Sequence, residues 1–591
     1  MLRRFAVAAA VLAVAVSLSA SARPAPDLDG NWIVGYYPPN GTRINYCIVK
    51  IETKNGKPTA SVVASLAKGL KVTDFKVSGQ EVTIGLGTPS FVGTVGDDPD
   101  VVVGSMGNEQ LMFRGKLIRT DKEEIDSPST KEKVPEPMTK AMTLANRPTT
   151  LRIQAQQEKD AAKRKDLLAE VAEAQKEADE QLPGLYREVI ADHPNDPAAL
   201  DAAMSLLTAV TRYKVTPAEG RKFVRVIQKQ SPQYGTRYVR YNMVRVGKSL
   251  ATQKGFEPIA VDALKPIAEA LTDKDPAATQ VEILSAYKIA LEGAGKADEA
   301  KAIDARLTKL ETKLDEEYLA SVPPFKPRAY AGRKEQGANR VAVMELFTGA
   351  QCPPCVAADV AFDALGKSYK PTDLVLLQYH LHIPGPDPMT NPDTLARAQY
   401  YRVNSTPSTF FNGKAKSPGG GPMAAAETKY DQYRGAIDPL LEDTTSVKMG
   451  GKATRAGDAV KISVQVSGLE DTDDLRLRVL VVEDVVKFVG GNQLRFHHHV
   501  VRAMPGGVEG VEITDKSFRH AVTADLAKVR KATVKYLDDY AENERPFPQA
   551  ARPLDMKDLK VIALVQNDKT KEIVQAVQIE VEGKTDAGGD R

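Results

Sequence analysis

Val341-Ala342-Val343-Met344-Glu345-Leu346-Phe347 is an apolar run that leads, after Thr348-Gly349-Ala350-Gln351, into Cys352-Pro353-Pro354-Cys355 and a segment that can be helical. The order predicts a strand, a turn and a helix whose start carries a CxxC pair. Amides at a helix start, and the positive end of its dipole, favour thiolate over thiol at Cys352. The thiolate is the attacking species in disulfide exchange, and Cys355 lies within reach to resolve a mixed disulfide. Reversible dithiol chemistry is the expectation.

A second motif follows in Val403-Asn404-Ser405-Thr406-Pro407-Ser408-Thr409-Phe410-Phe411-Asn412-Gly413, which reads as a turn, a strand started by Pro407 and a hairpin turn at Asn412-Gly413. With the CxxC, in this order, the stretch from Arg340 to Glu442 resembles the thioredoxin superfamily. The resemblance implies a thioredoxin-like α/β domain with Cys352 and Cys355 as its redox-active disulfide. It also implies a cis bond at Thr406-Pro407 beside them, where Thr406 and Pro407 would bind substrate by offering strand-like hydrogen bonds to a peptide. Some members hold a buried acid in the strand before the cysteines that moves protons to and from the resolving thiol. Glu345 is the candidate for that catalytic role, although strand parity can turn it outward. Three features depart from the best-known members. Gln351 replaces a Trp before Cys352, a Pro-rich stretch spans His382 to Pro388, and Pro353-Pro354 supplies neither amide protons nor a His between the sulfurs. The two losses at Pro353-Pro354 predict a moderately reducing couple.

Met1-Leu2-Arg3-Arg4, an apolar run from Phe5 to Leu18 and Ser19-Ala20-Ser21-Ala22 have the anatomy of a secretory leader over 1–22, so an exported, periplasmic or otherwise extracytoplasmic protein is expected. No later stretch is long and apolar enough to span a bilayer. With 591 residues the chain should hold several domains, and 80 basic against 77 acidic residues gives no electrostatic argument for nucleic acid. Three cysteines exclude a disulfide-stapled scaffold, and Cys47, the third, reads as a small buried hydrophobe.

The expected fold class is multidomain α+β. Residues 27–120 alternate short β-rich runs with turn signals and predict a small all-β domain; its Gly30-Asn31-Trp32 opening resembles lipocalin-type barrels, while Trp32 also serves simply as core. Charge, Pro and Ser over 121–149 read as a linker. Helical spacing over 150–320, with turns at 192–197 and 293–297, is similar to tetratricopeptide hairpins and suggests a docking segment or a spacer. The redox domain is expected at 335–442, a C-terminal β-sandwich at 443–583 and a disordered tail at 584–591. That arrangement resembles outer-membrane-associated thioredoxin-like proteins of bacteria.

Seven histidines invite other readings. His380 and His382 close the strand after the CxxC and share a face as solvated, hydrogen-bonded, shuttling or ligating groups; His497, His498 and His499 read as strand residues. The function expected is a protein-disulfide oxidoreductase that needs no cofactor and no metal. Its partners are disulfide-containing proteins and an upstream electron donor. Two alternatives use the same residues: a Cu(I) metallochaperone built on Cys352, Cys355 and a His such as His380, and a non-catalytic interaction scaffold.

Overall fold

The computed structural model describes residues 26–38, 42–87, 89–108, 111–158, 160–549 and 551–583. The expected leader at 1–22 and tail at 584–591 lie outside the described residues. The chain is a mixed α/β multidomain protein that divides into two compact units, 1–314 and 315–591.

The first unit begins with β1 (Gly30–Tyr37), β2 (Thr42–Lys54), β3 (Lys57–Ser65), β4 (Asp74–Ser78), β5 (Glu81–Gly85), β6 (Ser90–Val95), β7 (Val101–Gly107), β8 (Met112–Thr120) and β9 (Ser129–Lys131). The path β3-β2-β1-β8-β7-β6-β5-β4 joins the first long strand to the last and leaves its two ends at β3 and β4. Trp32, Val34, Cys47, Val49, Ile84, Phe91 and Leu117 fill one core. Burial pushes the Cys47 thiol up to about 12, which keeps it protonated and inert.

Residues 121–149 differ from a linker. Ser129–Lys131 pair with the start of β2, and Glu132 accepts from Tyr37 Oη at 2.7 Å. Helix α1 (Glu136–Gln157) starts directly behind Pro135, with a proline in its first turn. The prolines that suggested a break are helix starters, tolerated where an amide would lack a partner anyway. Then follow α2 (Ala161–Asp192), α3 (Pro197–Leu207), α4 (Pro217–Gln230), α5 (Thr236–Leu250), α6 (Glu257–Glu269), α7 (Ala277–Gly293) and α8 (Ala297–Ser321). The turns between α2 and α3 and between α7 and α8 fall where the sequence placed them, the first capped by the Asp196 carboxylate on Ala198 N at 2.8 Å.

The second unit holds β10 (Ala342–Thr348), α9 (Val356–Gly366), β11 (Leu374–His380), α10 (Pro392–Tyr401), β12 (Ser408–Phe411), β13 (Lys414–Ala415) and α11 (Ala426–Ile437). Beyond these come β14 (Lys448–Ala456), β15 (Ala459–Ser467), β16 (Leu475–Lys487), β17 (Phe496–Ala503), β18 (Val511–Glu512), β19 (Phe518–Asp525), α12 (Leu526–Asn543), β20 (Leu559–Asn567) and β21 (Ile573–Glu582). Every residue of β10 and β11 is buried, as expected for parallel neighbours covered on both faces. Met344 and Leu346 pack with Phe362 of α9 and Tyr433 of α11. Val343 and Phe347 take the opposite face with Leu377 and Tyr379.

The C-terminal region is not a separate β-sandwich. One path, β13-β12-β10-β11-β17-β16-β20-β21-β14-β15-β19, runs through both regions, joined where Gln378 of β11 pairs with Val500 of β17. The cause is β16, whose two faces enter different cores. Leu477, Val479 and Val481 meet Val460, Ile462 and Val464 of β15, while Leu480 and Val482 meet Val375, Leu377 and Tyr379. The alternation visible at 475–479 shows only the first of these faces.

A fragment ending at residue 442 therefore bares the Val375, Leu377 and Tyr379 face. It is expected to aggregate or bind hydrophobic dye without a cooperative thermal transition. A monomeric fragment with a sharp transition would contradict the shared sheet.

Candidate functional site

Strand β10 ends at Thr348, and a short turn brings Cys352 to a 3-10 segment, Pro353–Cys355, that runs into α9. Cys352 and Cys355 form a disulfide with sulfurs 2.08 Å apart. Cys352 is 1% exposed and Cys355 fully buried. The Thr406-Pro407 bond is cis. Thr406 Oγ1 lies 3.4 Å and its carbonyl oxygen 3.8 Å from Cys352 Sγ, and the same hydroxyl donates to Ile383 O at 2.9 Å. The expected substrate-binding pair thus stands beside the expected nucleophile. Asn412 and Gly413 form the hairpin turn between β12 and β13 with positive φ at both, 43° and 80°.

Glycine segments that the motif reading passed over close the site. Gly421 N donates to Pro354 O at 2.7 Å, and Ala357 N donates to Gly421 O at 2.9 Å. A Cβ on Gly420 would lie 1.9 Å from Pro354 O and 2.9 Å from Pro407 Cγ, so only glycine permits this approach. On another side Asn492 N donates to Ala350 O at 2.9 Å and Gly491 N to Gln351 Oε1 at 3.0 Å. The Gly419-Gly420-Gly421 run was the available signal, since a glycine triplet marks close backbone approach as well as a loop.

Glu345 does not join the cysteines, which corrects its expected catalytic role. It lies on the face of β10 shared with Val343 and Phe347, where Arg397 of α10 donates to Oε1 at 2.8 Å and to Oε2 at 3.0 Å. Tyr379 donates to Oε1 at 2.9 Å, Tyr401 to Oε2 at 2.6 Å, and Arg397 also reaches Gln566 Oε1 of β20 at 2.9 Å. Both charges are fully buried. Held by a guanidinium and two phenols, this carboxylate is a structural anion.

A different acid stands nearer. Asp359 follows Cys355 by one helical turn, is buried, and accepts from Thr348 Oγ1 at 3.0 Å and Gln378 Nε2 at 3.2 Å. Burial raises its carboxyl well above the ordinary range, and burial lifts Asp363, another turn along, to about 6. Gln378 Oε1 faces His380 Nε2 at 3.1 Å, and His380 Nδ1 faces Asp387 Oδ2 at 2.7 Å. Gln378 thus bridges the Asp359 carboxyl and the His380 ring through the two ends of its amide. Burial alone would raise Asp387. His380 and the Ala350 and Met389 amides outweigh it and hold the carboxyl below its usual range. Through Ala350 N, at 2.6 Å, this network touches the turn that carries Cys352.

Three more histidines, His382, His497 and His499, are neutral near pH 7 and serve as structural groups. His382 accepts from Asp387 N at 2.9 Å and stacks on Tyr540 with ring centroids 3.8 Å apart; burial lowers it to about 4. Burial lowers His497 to about 3, its Nε2 facing Phe488 O at 3.1 Å, and lowers His499 to about 4. No group of three or more His, Cys, Asp or Glu among the described residues is arranged to hold a metal ion. Both His380 nitrogens are already engaged, so it offers no free ligand beside the cysteines.

No protein-family model matches this chain, and no curated protein matches it. Among solved structures, the chain is similar to HBP35 of Porphyromonas gingivalis over 44% of its own length and 80% of that chain, at 18% identity and a TM-score of 0.30. A likeness at that score assigns no family.

Replacing Glu345 by Gln leaves Arg397 buried without its counter-ion. The expected cost is about 3–5 kcal/mol in denaturant unfolding, with Cys352 reactivity unchanged in protein that stays folded. His497 sets an acid limit. Its folded pKa is depressed, so its contribution is complete above about 6.5 and is lost as pH falls towards 3. Stability should drop by about 2–3 kcal/mol between pH 6.5 and 4.5 on its account, and His497→Gln should flatten that part of the curve.

Proposed function

We propose that the protein is an exported thiol-disulfide oxidoreductase of the thioredoxin superfamily that uses Cys352 and Cys355 to reduce or exchange disulfides in extracytoplasmic proteins. The observation that carries this reading is the disulfide at the start of α9 with Thr406 within 3.4 Å of Cys352 Sγ and the cis-proline next to it. The cysteines share a turn and the Thr406-Pro407 dipeptide comes from far along the chain, so a peptide bound at that dipeptide would meet the sulfur.

In the reducing direction the Cys352 thiolate attacks one sulfur of a client disulfide, and the other client sulfur leaves as a thiolate and takes a proton. Cys355 then attacks Cys352 Sγ, which forms the enzyme disulfide and releases the client as a dithiol, reduced by two electrons. An upstream dithiol donor returns the two electrons to the Cys352–Cys355 pair. The Thr406 hydroxyl, committed to Ile383 O beside the disulfide, can turn to donate to a Cys352 thiolate. With Cys352 1% exposed, attack requires the segments packed around the disulfide to open. The helical hairpins from α2 to α8 serve client docking in this reading.

Cys352→Ser should abolish dithiol-dependent reduction of a model disulfide, and Cys355→Ser should accumulate a mixed disulfide with client protein on non-reducing gels. Turnover by Cys352→Ser at the wild-type rate would end the proposal.

A further inference from the structure

Between 212 and 254 the sequence carries eleven basic residues against one acid, Glu219, in a chain whose overall formal charge is only +3. The single acid does not neutralise them. Glu219 closes the capping box with Thr216 at the start of α4 and accepts from Arg187 Nε at 2.8 Å. Arg212, Arg240 and Lys248 find carboxylates on other segments: Asp179, Asp275 and Glu282. Four cations on α4 do not.

Arg221, Lys222, Arg225 and Lys229 are all exposed. At 100° per residue their spacing confines them to an arc of about 100°, spread over about 12 Å of helix. Gly220, Phe223, Val224 and Ile227 occupy the opposite, buried side. Lys229 reaches only the neutral Asn195 Oδ1, at 3.1 Å, and no ion pair to Arg221, Lys222 or Arg225 is found among the described residues. Holding like charges on one face without counter-ions raises the free energy of the isolated protein, and an external anionic surface relieves it.

We infer that this outer face of α4 is an electrostatic docking surface for the anionic headgroups of a lipid bilayer. Recognition of an acidic peptide takes apolar or aromatic anchors seated in pockets. None of the large exposed hydrophobic side chains lies between 212 and 254 among the described residues. A face that offers charge without anchors suits a surface that presents charge without sequence. No described helix is long and apolar enough to cross a membrane, so the association is peripheral and reversible.

The test is co-sedimentation of the full-length protein with phosphatidylcholine vesicles, with and without phosphatidylglycerol, in low salt. Binding is expected only where phosphatidylglycerol is present, and it should vanish at about 0.5 M salt, where the screening length is only a few ångströms. Each cation near such a surface contributes about five-fold to affinity. The triple variant Arg221→Glu, Lys222→Glu, Arg225→Glu should therefore lose at least about 100-fold, and Lys229→Glu alone about five-fold or more. A control with the same charge change on α12, Lys528→Glu, Lys531→Glu and Lys535→Glu, should bind within a few-fold of wild type. Equal binding to neutral vesicles, equal losses in both triple variants, or indifference to vesicles combined with tight binding of polyglutamate or DNA would overturn the inference. The single variant and the salt dependence keep the test decisive should the triple variant misfold.

Discussion

Two opposite charges with no water around them, Glu345 and Arg397, hold the centre of the second unit. Burying both is costly, and the cost is met because the guanidinium binds the carboxylate through two nitrogens while Tyr379, Tyr401 and Gln566 satisfy most of what remains. The cluster ties β10 to α10 and to β20, elements more than 200 residues apart at their extremes. The strand that delivers the cysteines is thereby fixed to the last third of the chain as well as to its immediate neighbours. The placement of the disulfide depends on that anchorage.

Around the disulfide the structure divides its work between backbone and buried polar side chains. Thr406 approaches Cys352 through its hydroxyl and carbonyl, while Gly420 and Gly421 meet the CPPC turn with main chain, so closely that no larger side chain fits at Gly420. Behind the turn, Asp359, Gln378, His380 and Asp387 form one connected hydrogen-bond network, with the Gln378 amide as the bridge between the acid and the imidazole. Asp387 ends that network on the Ala350 amide, two residues before Cys352.

The CxxC pair, the Thr406-Pro407 dipeptide and the hairpin at Asn412-Gly413 were legible because each is a short local signal with a single geometric meaning. Two other expectations failed where meaning depends on distant partners. Glu345 looks from sequence like any acid beside a redox motif, and only Arg397, 52 residues away, shows that its charge is spoken for. The C-terminal region alternates in the manner of a half-exposed strand at Leu475-Arg476-Leu477-Arg478-Val479, yet Arg478 is fully buried and pairs with Asp568. Arginine counted as solvent-facing in a periodicity argument conceals a buried ion pair. Pro135 and Pro137 misled in the other direction, since the same residue that breaks a helix also begins one.

A single sheet running through both halves of the second unit also orders events during synthesis. The Val375, Leu377 and Tyr379 face gains its cover only when β16, β17 and β20 exist, so the ribosome must pass residue 567 before the cysteine-bearing strand can be enclosed on both sides. Until then the nascent chain presents a sticky sheet and an unshielded thiol pair together, over some two hundred residues of elongation.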